Sequence, residues 1–369
     1  MKYPQFHSEL LAGNFKSHAA VILLLLAGVN CLAFAANGSV QSIALPFSEA
    51  EVDTLIREGI RATILQKFDR ADSLFRMLQR RNPDDPRAFF YQAAALQSRM
   101  MDAEDYSREK EFLQLIEETV QRADRILKRS PGNAAAMFFK GAALGYRGFY
   151  HAQRKRYLKG IRDALRGIGF LNRAVQLDSA FYDAYLGIGT YKYWRSRLTE
   201  FLHWLPFFPD KKEEGIRLIE LAARKGRYGR DVAANELMWV ELDRKNYWRA
   251  LAIGQEMLEK YPGSRFFMWP MAEAYFRSGQ FSRAIELFRR LMESYRKEPE
   301  NNHYNEIICG LRIAQAYLKL GLERRACQQA REMLALPLAA EVKKRLGKRL
   351  KELQRISSRC ERPPIPEKK

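Results

Sequence analysis

An all-α solenoid of about seven helical hairpins is the fold this chain predicts, and three observations predict it. From Glu49 onward, apolar residues recur at helical spacing almost without interruption, and β-alternation never lasts long enough to make a sheet. A small residue, a second small residue about twelve positions on, an apolar residue four later and a helix-ending turn return along the chain, as in Gly59, Ala71, Phe75 and Pro83. Such a period belongs to helix pairs that bury their faces only by stacking on neighbours.

The first element is a targeting segment. Residues 19–36 carry no charge and hold Ala33-Phe34-Ala35, small residues where a signal peptidase reads, after a stretch bearing Lys2 and Lys16. The pattern predicts a secretory signal, residues 1–35, removed after Ala35. Retention as a short membrane anchor and lipid attachment at Cys31 are the alternatives, the last opposed by Asn30 where a small residue normally precedes the lipidated cysteine. Each of the three carries the folded part out of the cytoplasm, to the periplasm or envelope. Residues 36–48 read as an extended leader, because Asn37-Gly38 and Pro46 oppose a long helix.

The first hairpin runs from about residue 52 to 85, with Leu55, Gly59, Ala71, Phe75 and Leu78 as its packing residues. Small residues at the crossing let the two backbones approach, and Pro83 follows the second helix where no backbone donor is available. Near the C-terminus Ala272, Tyr275, Gly279, Ala284, Phe288 and Leu291 form one frame, and Ile313, Ala314, Tyr317, Gly321, Ala326 and Pro337 nearly repeat it. Between these and the start, Phe89 with Ala93, Met137 with Gly141, and Tyr185 with Gly189 mark first helices, and second helices end near Pro131, Ser179 and Arg227. A further unit, roughly 231 to 264, carries Leu237, Ala250, Met257 and Pro262.

This spacing resembles the tetratricopeptide repeat (TPR) family over residues 49–338, and the resemblance implies a right-handed solenoid that binds a protein or peptide along its curved inner surface. Repeat proteins of this kind commonly assemble complexes; in bacterial envelopes similar ones serve outer-membrane protein insertion, polysaccharide export or secretion. Units beginning near 86, 134 and 182 depart from the family frame, being longer by roughly ten to fourteen residues, through extended helices or through insertions. An amphipathic helix over 339–356 presents Val342, Leu346, Leu350 and Leu353 to a neighbour and Lys343, Lys344, Lys348, Arg349 and Lys351 to water, as a terminal cap needs. Residues 357–369 end in RPPIPEKK and read as a disordered tail.

The formal net charge is +20, and losing Lys2, Lys16 and Glu9 with the signal lowers it to +19. That balance favours anionic partners: an acidic protein surface, an anionic membrane or an exported glycan. Nucleic acid fits the charge but not an exported chain. Cys309, Cys327 and Cys360 are too few for a disulfide-built scaffold. A Cys309–Cys327 bridge across one hairpin and two inert buried thiols both fit the spacing, and either leaves Cys360 free.

Raw material for catalysis is scarce. Beyond the signal the histidines are His151, His203 and His303, and no HExxH, CxxC, GxSxG or P-loop occurs, so no metal, cofactor or acyl-transfer site is expected. Glu117-Glu118 and Glu213-Glu214 are adjacent on helices and point to different faces. The glycines near Gly141 suit close helix packing, and Trp239, Trp248 and Trp269 suit hairpin cores.

Two segments stand out as candidate partner-binding sites. In residues 145–166, Arg147, Arg154, Lys155, Arg156 and Lys159 interleave with Tyr150 and other aromatics, opposed only by Asp163. This arrangement either docks an anionic partner or is a helix with its basic side in water and its tyrosines inward. In residues 194–215, Phe201, Trp204 and Phe207 crowd against Pro206 and Pro209 between two hairpin helices, an insertion that either plugs the solenoid or offers its rings to a partner or membrane. A non-catalytic scaffold using both segments is the leading expectation; direct binding of anionic lipid or glycan is the alternative, and an enzyme built from dispersed carboxylates a third.

Overall fold

A computed structural model describes residues 46–204 and 209–361. The signal segment, most of the leader, Phe207 and the last residues of the tail lie outside the described residues. Fifteen α-helices and no strand occur among the described residues, and consecutive helices pair as seven antiparallel hairpins followed by a cap.

Local chemistry sets the helix starts. Ser48 and Glu51 form a reciprocal capping box on α1 (Glu49–Ile64), and α2 (Phe68–Arg81) closes the first hairpin just before Pro83. Asp85 accepts from the Arg87 amide (2.9 Å), and Pro86 occupies the first turn of α3 (Pro86–Ala103), which pairs with α4 (Glu109–Arg129). Asn133 accepts from the Ala136 amide (2.8 Å) to start α5 (Ala134–Gln153), the partner of α6 (Tyr157–Leu177). The remaining hairpins are α7 (Tyr182–Leu198) with α8 (Lys212–Lys225), α9 (Arg230–Asp243) with α10 (Tyr247–Lys260), α11 (Arg265–Arg277) with α12 (Phe281–Arg296), and α13 (Tyr304–Lys319) with α14 (Glu323–Leu334). The cap, α15 (Ala340–Ser357), buries Val342, Leu346 and Leu353 and leaves Leu350 half-buried.

The long central units have two origins. Hairpins two and three lengthen both helices, and hairpin four inserts residues 199–211 after α7, starting with a 3-10 turn at Glu200–Leu202.

One turn design joins the two helices of every other hairpin. Gln66, Glu104, Lys155, Lys245, Gly279 and Gly321 each have positive φ, between 52° and 79°. The amide after each one donates to the carbonyl five residues back, as Lys67 does to Ala62 and Leu322 to Tyr317. This closes the helix and satisfies its terminal carbonyls. These turns all lie on one edge of the solenoid, the hairpin-turn edge; the linkers between hairpins lie on the other.

The solenoid curls until its beginning meets its end. Asp53 on α1 accepts from the Tyr228 hydroxyl (2.7 Å) and pairs with Arg227 (2.9 Å) in the linker after α8. Ser264 Oγ donates to the Ile64 carbonyl (2.6 Å), and the Arg265 amide donates to Gln66 Oε1 (2.8 Å). Asp102 pairs with Arg265 (2.6 Å), and Glu104 pairs with Arg345 on the cap. Ile64 belongs to the same apolar cluster as Trp269, Phe288 and Leu353. The hairpin-turn edge of the first two hairpins is therefore covered by hairpins five to seven and the cap. These contacts tie the first two hairpins to the last three and to the cap.

Two expectations change. Cys327 bonds to Cys360, with Cα atoms 6.3 Å apart, and Cys309 remains a buried thiol. The cap packs along α14 and so returns the chain to Cys327, while Cys309 points into the core. The tail consequently begins as an ordered 3-10 turn, Ser358–Glu361, not as a disordered end.

Candidate docking surface

The α5–α6 pair is built for close approach. A Cβ added to Gly141 would sit 2.8 Å from the Gly167 carbonyl, and one on Gly160 would sit 2.9 Å from the Gly148 carbonyl. Glycine, alanine and aspartate thus form the buried side of α6: Gly160, Asp163, Gly167 and Ala174, with Leu171. Because the small side faces α5, the apolar residues at the other positions turn outward. Leu158 is 66% exposed, Ile161 54% and Leu165 53%.

Most of the cationic candidates serve internal contacts. Arg147 donates to Asp163 from Nε (2.7 Å) and Nη2 (3.1 Å), and Asp163 is fully buried, so this residue is a strut between α5 and α6 and not a partner contact. Tyr150 is also fully buried, its ring 5.1 Å from Phe112, and burial pushes its hydroxyl above the usual range; the expected anchor is core. Arg154 lies over the Tyr106 ring at 4.7 Å, and Arg156 pairs with Glu109. Long helices bring acids and rings from the neighbouring hairpin against this turn, which the local sequence does not reveal.

Other cations stay available. Lys155 and Lys159 are exposed and have no ion-pair partner among the described residues; the same holds for Arg166. Arg162, 65% exposed, reaches only to 3.9 Å from Asp163, whose oxygens Arg147 already occupies. These four flank the Leu158–Ile161–Leu165 stripe.

The insertion of hairpin four continues the surface. Second helices all run in one direction, so the start of α6, the insertion, and the start of α10 share the hairpin-turn edge. Trp204 is 78% exposed and Phe201 is exposed beside it. Trp248 at the start of α10 is 72% exposed, a correction to its assignment as core; Trp239 and Trp269 are buried as expected. Two leucines of the α13–α14 turn, Leu320 and Leu322, are exposed on this edge as well.

Reading the sequence missed Leu158, Ile161, Leu165 and Trp248. The available signal was the three-then-four spacing of the aliphatic residues beside Lys159, Arg162 and Arg166, but apolar spacing on a helix ordinarily marks the buried side.

No group of three or more metal-ligating side chains occurs among the described residues. His151 and His203 lie in separate hairpins. A cleft of ≈ 570 Å³ between α4 and α5, lined by Gln121, Asp124, Arg125, Leu127, Lys128 and Lys140, opens to solvent.

No family model and no curated protein matches this chain. Solved structures do overlap it. The Cut9–Hcn1 hetero-tetramer of APC/C aligns at 14% identity and TM-score 0.47, over 79% of this chain and 50% of that one. PilW, a type IV pilus biogenesis factor, aligns at 14% identity and TM-score 0.45, over 67% of this chain and 97% of that one. The human IFIT1 dimer with PPP-AAAA aligns at 12% identity and TM-score 0.45, over 80% and 61%. This chain thus spans half the length of the first of these. The hairpin solenoid described above rests on the chain's own turns and packing.

Proposed function

We propose that the chain is a non-catalytic, exported helical-repeat scaffold that docks onto an anionic partner of the cell envelope through the hairpin-turn edge of hairpins three to five. The observation that carries this reading is the stripe of Leu158, Ile161 and Leu165, exposed beside Lys155, Lys159, Arg162 and Arg166. Exposed apolar side chains contribute nothing to the monomer's core, and contiguous ones mark contact surfaces. Exposed cations steer an anionic surface toward them. Export is supported by the uncharged run at residues 19–36.

Site-specific photocrosslinking in the native envelope tests the reading. A photoreactive residue at Ile161 or Trp204 is expected to yield a discrete adduct, of protein or lipid mass, that the same probe at Lys128 does not. Equal labelling at all three positions overturns the docking edge.

A further inference from the structure

Resting on that docking reading, we propose that the occupant of the hairpin-turn edge is an anionic bilayer, on which the solenoid lies peripherally.

The arrangement of the exposed side chains points to a surface and not a groove. Leu158 and Ile161 come from hairpin three, Trp204 from the insertion of hairpin four, and Trp248 from hairpin five. They share an edge but belong to three successive hairpins. A protein partner's strongest contacts concentrate in one well-packed, desolvated pocket. A fluid interface instead accepts separate anchors, and indole rings are favoured at headgroup level.

Charge selects the type of surface. Lys155, Lys159, Arg162 and Arg166 border the aliphatic stripe, and the one acid on α6, Asp163, is buried against Arg147. Two copies of this edge would repel one another, so a second copy of the chain does not fit. A leaflet rich in anionic headgroups fits both parts: the cations meet headgroups while the aliphatic and indole side chains enter the acyl boundary. Contact of this kind lies on the membrane, in keeping with the absence, among the described residues, of any helix long and apolar enough to cross one. The uncharged residues 19–36 bring the chain to a bilayer in the first place.

The test uses the full chain with vesicles of phosphatidylcholine, alone or mixed with phosphatidylglycerol, each carrying brominated acyl chains. Tryptophan emission is the readout. It isolates this edge from the N-terminal apolar run, which contains no tryptophan. Expected are a blue shift and quenching in the anionic vesicles only, lost at about 0.5 M salt where screening is complete within a few ångströms. The W204F/W248F variant should retain vesicle binding but lose most of the quenching. The K155E/K159E/R162E/R166E variant, with unchanged helicity, should bind at least about tenfold more weakly. Equal quenching by neutral vesicles, or quenching unaltered in W204F/W248F, overturns the proposal. Protein-mass crosslinks at Trp204 with no vesicle response would overturn the bilayer while leaving the docking edge standing, and would assign it to an acidic protein. A dimer dissociated by I161E would assign it to a second copy and likewise overturn the bilayer.

Discussion

Arg265 is 5% exposed, yet it carries a full charge across the closure of the solenoid. Its Nε and Nη2 both donate to Asp102, which also accepts from the Tyr295 hydroxyl (3.1 Å), and that hydroxyl accepts from Trp269 Nε1 (2.9 Å). Desolvating two charges is repaid only when geometry and extra hydrogen bonds are this complete, and removing one partner strands the other. R265A is therefore expected to lower unfolding stability by about 3–5 kcal/mol, measured by urea denaturation. R156A removes a pair whose members both reach solvent and should cost less than about 1 kcal/mol. Both are arginines near an acid in space; burial, together with the extra partners around Arg265, separates their effects.

Between α5 and α6 the controlling quantity is the distance between backbones. Gly141 faces the Gly167 carbonyl, whereas a Cβ on Gly145, one turn along the same helix, would meet nothing within 4 Å. G141A is expected to destabilise by about 1–3 kcal/mol through overpacking. G145A should stabilise by about 0.5–1 kcal/mol, because alanine loses less backbone entropy in a helix. Parallel thermal or denaturant melts give both signs from one pair of variants. Gly141 was legible as a packing residue from its place in the repeat. The outward turn of Leu158, Ile161 and Leu165 was not, since it depends on which side of α6 its neighbour occupies. The hairpin turns show a similar limit. Gly279 and Gly321 advertise a left-handed residue, but Gln66, Glu104, Lys155 and Lys245 adopt that conformation without glycine, at a cost of roughly 1–2 kcal/mol each. That is why the C-terminal hairpins read clearly and the earlier ones only by repetition.

For the molecule as a whole, closure is held by polar latches, and one of them has a defined response to acid. Burial raises the Asp53 carboxyl, but hydrogen bonds from Arg57, Tyr228 and Arg227 outweigh it and hold the pKa down to about 2. Because the folded value lies below the free carboxylate value of about 3.9, the latch contributes fully above that pH and is lost as pH falls through about 2. D53N should therefore be less stable than the parent at pH 5, and the gap should close as pH approaches 2, read by denaturant unfolding at a series of pH values. No difference between the two at pH 5 would remove Asp53 from the closure.

Hairpin number, helix order and the amphipathic last helix were determined by the sequence, because periodic burial and turn chemistry are local and repeat. Phe201 and Trp204 were legible as an apolar insertion, but local sequence does not choose between a plug and an exposed surface. Only the tertiary structure decided that the curve closes on itself, that Cys327 meets Cys360, that Arg147 and Tyr150 serve the core, and that Leu158 and Trp248 face outward. These outcomes depend on contacts between residues as far as 241 positions apart, as in Arg345 and Glu104. A helix's own pattern names the side that can be buried; which side is buried is settled by the partner that approaches more closely.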